Sequence, residues 1–172
     1  MVTKLQFISS TSFDGDTVID VTQIKQDVYG VHFVSFELIP NTDNSLPSIR
    51  YINTSDSVIT ATNYEECFGE FYADASYTTY NSTGNGEVRI AENTGNANGE
   101  SCVGSFYIYN AGSADYTFST HQNTSVYTDS ELIGMQGGGM LKQTDLIKGF
   151  RVFDQNNASG TFTGSISVWG LK

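Results

Sequence analysis

Apolar and polar side chains alternate with a period of two along most of this chain, which predicts half-buried strands. The clearest case is Thr161 to Leu171. There Phe162, Ile166 and Val168 fall on one face, while Thr161, Thr163, Ser165 and Ser167 fall on the other. Gly164 and Gly170 share the apolar face, where a missing side chain points to close backbone approach, a bend or a bulge. Val28 to Ile39 reads as the strongest strand, with Val31 and Phe33 on one face and His32, Val34, Phe36 and Leu38 on the other. Apolar residues on both faces place it centrally in a sheet, or give it an outer face that meets another subunit.

The remaining elements are shorter. Lys4 to Thr11 alternates weakly, as an edge strand does. Pro40 to Ser45 is a turn of turn-forming residues, followed by a strand over Leu46 to Ile52 that Thr54 to Ser57 ends. Phe68 to Tyr80 is a long aromatic run predicted as one strand. Asn81 to Gly86 reads as a hairpin loop leading into a strand at Glu87 to Ala91. Asn93 to Gly99 is a second polar loop, and Cys102 to Tyr109 a second aromatic strand. Tyr116 to Tyr127 follows, with Tyr116, Phe118, Val126 and Tyr127 as candidate core members. Gly134 to Met140 carries three consecutive glycines and is expected to be a flexible or tightly bent surface loop. The closing pair is Leu146 to Asp154 and Thr161 to Leu171. Helix is confined to one weak turn at Asp20 to Gln26. Eight to ten strands at regular spacing predict an all-β fold, an antiparallel β-sandwich or jelly roll formed as one domain over residues 1–172.

Composition supports that reading. Of 172 residues, only 16% are charged, and ten Tyr and eleven Phe accompany just two Pro, a balance that favours strands. The formal net charge of −11 argues against nucleic acid, which is held by basic stripes, and against an anionic membrane. An acidic surface serves solubility, or attraction to a basic docking surface on a larger assembly. No leader is visible in Met1 to Ser10, and no apolar run approaches a bilayer span. Synthesis in a cytoplasm is therefore expected, and the four Asn-x-Ser/Thr matches carry no glycosylation argument.

Cys67 and Cys102 sit in a shared Cys-x-Gly-x-Phe-Tyr pattern, as if both strands met the same kind of environment. They are open to reading as buried thiols, a disulfide formed after release or a ligand pair, and cytoplasmic synthesis favours free thiols. Catalytic chemistry has little support. His32 is expected to be a satisfied structural histidine, and His121 an exposed one. The chain has no Gly-x-Ser-x-Gly elbow, Walker sequence, dinucleotide fingerprint or zinc spacing. No cofactor and no metal is expected. Glu66, Glu70 and Asp74 would share one face of a strand, read here as a solvated face. Asp14-Gly-Asp16 lacks the further ligands of a calcium loop.

The order of features resembles a jelly-roll-like module of virion proteins from tailed bacteriophages, particularly those of marine bacteria. The resemblance rests on Tyr29 to Pro40, Leu46 to Ile52, Gly104 to Asn110, the Gly137 to Gly139 run, and the closing Phe162, Ile166 to Val168 and Trp169-Gly-Leu-Lys172. Trp169 stands where Tyr is commoner in the family. The resemblance implies a virion location and a structural or attachment role without catalysis, as capsid decoration, fibre or tail-associated knob. Other virion proteins would be its partners, and a closed homo-oligomer, with a trimer ahead, is expected. The alternative is a carbohydrate- or receptor-binding module that meets a host-surface glycan. For Trp169, Tyr77, Tyr80 and Tyr127, core packing is the cheaper account. Because the end loops of a sandwich carry binding, the candidate binding residues are Asn81, Asn85, Asn96 and Asn98, with Gln136, Gly137, Gly138 and Gly139.

Overall fold

The computed structural model describes residues 4–127 and 131–172. Met1 to Thr3, the head of the stretch read for a leader, lie outside the described residues. Twelve strands are described: β1 (Leu5–Asp16), β2 (Val18–Val21), β3 (Val31–Pro40), β4 (Pro47–Asn53), β5 (Tyr64–Tyr72), β6 (Tyr77–Asn85), β7 (Val88–Arg89), β8 (Cys102–Tyr109), β9 (Thr117–Val126), β10 (Leu132–Leu141), β11 (Ile147–Asp154) and β12 (Phe162–Leu171). All pairings are antiparallel. One sheet runs β1-β12-β3-β8-β9-β10-β5-β6, and the other β2-β11-β4-β7.

The order β1-β12-β3-β8 over β2-β11-β4-β7 is a jelly roll. Each of its four strand pairs sends one strand to either sheet: β1 with β2, β3 with β4, β7 with β8, and β11 with β12. The fold is thus the expected all-β sandwich. Two hairpins are spliced into it. β5–β6 follows β4 and β9–β10 follows β8, and the two pair with each other through β5 and β10. They extend the larger sheet by four strands beyond the edge of the smaller one.

Alternation places the apolar core between the two four-stranded layers. Val34, Phe36 and Leu38 of β3, Phe106 and Ile108 of β8, Phe162, Ile166 and Val168 of β12, and Ile49, Tyr51, Phe150 and Val152 from the facing sheet are all buried there. Each such side chain contributes roughly 1.5–3 kcal/mol relative to exposure. β3 is central, flanked by β12 and β8, and the two faces of both β3 and β12 are divided as the alternation predicts. The glycines of β12 do mark close approach. A Cβ on Gly164, at φ +150°, would meet the Glu37 carbonyl, and one on Gly170 would enter the Tyr29 ring.

Several expectations are corrected. The aromatic run Phe68 to Tyr80 is two strands, because residues 73–76 turn back with Ala75 at φ +73° and the Asp74 carboxylate accepting from the Ser76 N–H at 2.7 Å. Asn81 to Gly86 is therefore not a hairpin loop, and residues 81–85 belong to β6. Gly134 to Met140 is not a surface loop but the body of β10, paired on both sides. Strand at Glu87 to Ala91 shrinks to Val88 and Arg89. The Asp20 to Gln26 stretch is not helical, and its first two residues are in β2. Tyr116 and Phe118 are exposed rather than core.

Candidate functional site

The phase of β9 is opposite to the one its aromatic residues suggest. Thr117, Ser119, His121, Asn123 and Ser125 point inward, and Phe118, Thr120, Gln122 and Thr124 outward. The inward polar groups meet the irregular segment that lies across them. Asn123 Nδ2 donates to the Ile90 carbonyl at 2.6 Å, and Ser125 Oγ to the Glu92 carbonyl at 3.3 Å. A segment without ladder partners needs side-chain donors when buried, and β9 supplies them.

Beneath the two spliced hairpins lies a charged core. Glu66 and Glu70, expected on a solvated face, are buried, while Asp74 is exposed in the β5–β6 turn. Glu66 accepts from the Arg89 backbone N–H at 2.7 Å and from Asn85 Nδ2 at 2.9 Å. The Arg89 guanidinium lies 2.8 Å from Glu92 and 3.5 Å from Glu66, and stacks 4.2 Å over the Tyr80 ring. Tyr72 donates to Glu70 at 2.8 Å. Burial pushes the Glu66 and Glu92 carboxyls above their ordinary range, against the opposing effect of Arg89. Two buried carboxylates, Glu66 of β5 and Glu92, flank the one guanidinium and tie the β5–β6 hairpin to β7. Among the described residues no group of His, Cys, Asp and Glu is arranged to hold a metal ion.

Both histidines depart from expectation. His121 is buried, its ring 6.3 Å from that of Phe68, and neither ring nitrogen makes a hydrogen bond within the described protein. Burial pushes its pKa down to about 4. His32 is also buried without a well-formed hydrogen bond at either nitrogen, and burial lowers its pKa against the pull of the Ile24 and Lys25 backbone. The cysteines are free thiols. Their shared motif is displayed on opposite faces, with Cys67 exposed and Cys102 buried. They stand three strands apart in one sheet, about 14 Å by strand spacing, beyond the reach of a disulfide.

The outer face of the larger sheet carries the most distinctive pattern. Register aligns one residue from each of the eight strands in straight rows across it. One row reads Phe7, Trp169, Phe33, Tyr107, Thr120, Gly138, Cys67, Asn81. Its four aromatic rings follow one another at centroid distances of 6.0, 5.5 and 5.1 Å. The next row reads Ser10, Ser167, Ser35, Ser105, Gln122, Gln136, Gly69, Thr79. On either side lie a row from Leu5 to Thr83 and a row from Ser12 to Tyr77. Of these thirty-two outward positions only Glu37 and Glu65 are charged, although the whole chain is 16% charged.

The candidate residues are distributed unevenly over this geometry. Gln136, Gly138 and Asn81 lie in the outward rows, on strands rather than loops. Gly137 and Gly139 face inward, where an added Cβ would meet Phe68 and Val88 respectively. Asn85 is bound to Glu66 inside the charged core. Asn96 is in the expected loop but braces it, its backbone N–H donating to Asp43 and its amide to the Asn41 carbonyl. Asn98 is exposed in the same loop, away from the rows. Sequence reasoning missed Phe33, Tyr107, Ser105 and Gln122. The signal available was that two aromatic strands had apolar residues on both faces. Tyr77 and Trp169, assigned more cheaply to core, lie on this outer face.

No protein-family model matches the chain, and no curated protein is significantly similar to it.

Proposed function

We propose that the protein is a non-catalytic structural component of a tailed-phage particle, a capsid decoration, fibre or tail-associated knob that docks onto other virion proteins. The observation that carries the reading is the broad outward sheet face, nearly free of charge in a chain of net charge −11. Interface cores are depleted of charge and enriched in Tyr, Trp and Phe, and jelly rolls are a common architecture of viral shells. A closed homo-oligomer, a trimer first, accords with such a part.

A second reading is favoured by one observation. The aromatic row lies directly beside a row of serine and glutamine side chains, the combination a carbohydrate- or receptor-binding module uses to meet a host-surface glycan. The experiment for the first reading is immunogold labelling of purified particles with antibody against this protein. Gold over the head indicates decoration or capsid fibre, and gold at the tail an attachment component. Unlabelled particles from cells that express the protein refute a virion role.

A further inference from the structure

We propose that the trough between the aromatic and amide rows is a binding site for neutral saccharide. The inference rests on the second reading, that this face meets a glycan, and it names the residues and the chemical class. The trough has a volume of about 480 Å³ and is lined by Phe33, Tyr107, Ser105, Thr120, Gln122 and Gln136. A second depression of about 480 Å³ continues it toward Val103 and Phe71, sharing Ser105, Gln122 and Gln136. Both volumes fall within the range of small-ligand clefts.

The lining divides by chemistry. On β3 and β8, Phe33 and Tyr107 form an apolar wall, their centroids 5.1 Å apart, and Trp169 extends it at 5.5 Å from Phe33. Such a wall suits the C–H face of a pyranose ring. On β9 and β10, Gln122 and Gln136 are direct cross-strand partners, and each amide carries two donors and an acceptor. Gln136 is flanked along its own strand by the outward glycines Gly134 and Gly138, so no side chain of β10 shields it. Gln122 and Gln136 are both exposed.

Charge selects the occupant. No Asp, Glu, Lys or Arg lines the trough, and His121, which also borders it, is kept neutral by burial, so an anionic ligand finds no cation there and meets the field of a protein with eleven excess negative charges. A cationic ligand finds no carboxylate in the lining. A neutral polyol matches each group present, ring face to aromatic and hydroxyl to amide, hydroxyl or phenol. A purely apolar partner would strand the two amides without hydrogen bonds, at a cost of about 1–3 kcal/mol for each unsatisfied group. A neutral saccharide pairs the two amides and covers the ring wall at once.

The test uses the full chain and a fixed panel of maltohexaose, cellohexaose, mannohexaose and laminarihexaose, with hexagalacturonate as the anionic control. Trp169 is the chain's single tryptophan and packs against Phe33 at 5.5 Å outside the trough lining, so its emission is read together with titration calorimetry on the same panel. The expected result is a saturable shift with at least one neutral hexasaccharide and little with hexagalacturonate. The double variant Gln122→Ala, Gln136→Ala, made at two exposed positions, is expected to weaken binding about tenfold with unfolding unchanged. Absence of both an emission shift and a binding heat across the panel at 20 mM overturns the proposal, as does binding that the double variant leaves intact. Self-association that shields Trp169 from acrylamide also overturns it, by assigning the face to a second copy. Particle labelling is independent. Gold-labelled virions with no saccharide binding sink only the trough, and saccharide binding without labelled virions sinks only the virion role.

Discussion

Acidification should destabilise this fold through His121 in particular, and the size of the effect follows from the structure. The imidazole is enclosed under the spliced hairpins beside Phe68, with no hydrogen-bonding partner among the described residues at either nitrogen, and burial pushes its pKa down from 6.5 to about 4. A group whose folded pKa is depressed contributes stability that is complete above the unfolded pKa and lost as pH falls toward the folded one. Each pH unit between the two values is worth about 1.36 kcal/mol, so the interval from 6.5 to about 4 amounts to about 3 kcal/mol. Glu66 and Glu92, whose pKa values are raised, act in the opposite sense. They stabilise at low pH and lose that contribution as pH rises through their folded values. The comparison is therefore between wild type and His121→Leu, in which the carboxyl contributions are common. Urea unfolding at pH 7 and at pH 4 should show wild type losing about 3 kcal/mol more than the variant over that interval. Parallel pH profiles for the two proteins would refute the reasoning and show that the imidazole titrates as it does in water.

Other perturbations probe the remaining features. Arg89→Met leaves Glu66 and Glu92 buried without their cation, and should cost about 3–5 kcal/mol at pH 7; chemical denaturation should show the loss shrinking by pH 5 as both carboxyls take up protons, and a loss independent of pH would contradict it. Cys67 should react with a thiol reagent in the native state and Cys102, whose pKa burial pushes up to about 12, only after unfolding; modification of both thiols in the folded protein would refute the assigned faces. Gly170→Ala drives a methyl group into the Tyr29 ring and should cost roughly 1–3 kcal/mol, read as a lowered Tm. Ala75→Asn should raise Tm slightly, because Ala75 occupies the left-handed region at a cost of roughly 1–2 kcal/mol that Asn tolerates better.

The jelly-roll half of the molecule was legible in the sequence because its strands obey one rule. In β3 and β12 the apolar side chains mark the inner face, and both are placed and faced as their alternation indicates. The spliced half breaks that rule at three points. β9 turns Thr117, Ser119, His121, Asn123 and Ser125 inward, two of them (Asn123 and Ser125) holding the carbonyls of residues 90 and 92, so hydrophobicity alone gives it the wrong phase. β10 contains Gly137 to Gly139 where Phe68, the Ser119 backbone and Val88 crowd it, and a glycine run tolerated by close packing looks the same in sequence as one tolerated by exposure. β5 buries two glutamates because distant or neighbouring donors meet them, Arg89 for Glu66 and the Tyr72 hydroxyl for Glu70. The loop placement of the binding candidates is corrected for a related reason, since Gln136, Gly138 and Asn81 lie on strands. They were sought in loops, whereas the outward rows exist only once eight strands are aligned, and register is invisible until the partners are known.

The placement of polar groups under the added strands has a thermal consequence. Apolar surface exposed on unfolding raises heat capacity by about 0.45 cal/mol/K per Å², whereas polar surface lowers it by about 0.26. The half of the larger sheet over β9 and β5 buries hydroxyls, amides, carboxylates and a guanidinium in positions where a sandwich usually buries hydrocarbon. Exposing those polar groups on unfolding offsets part of the increment that the buried apolar side chains add. The free energy of this fold should follow temperature along a shallower dome than an all-apolar sandwich of equal length, with less lost on cooling from its maximum.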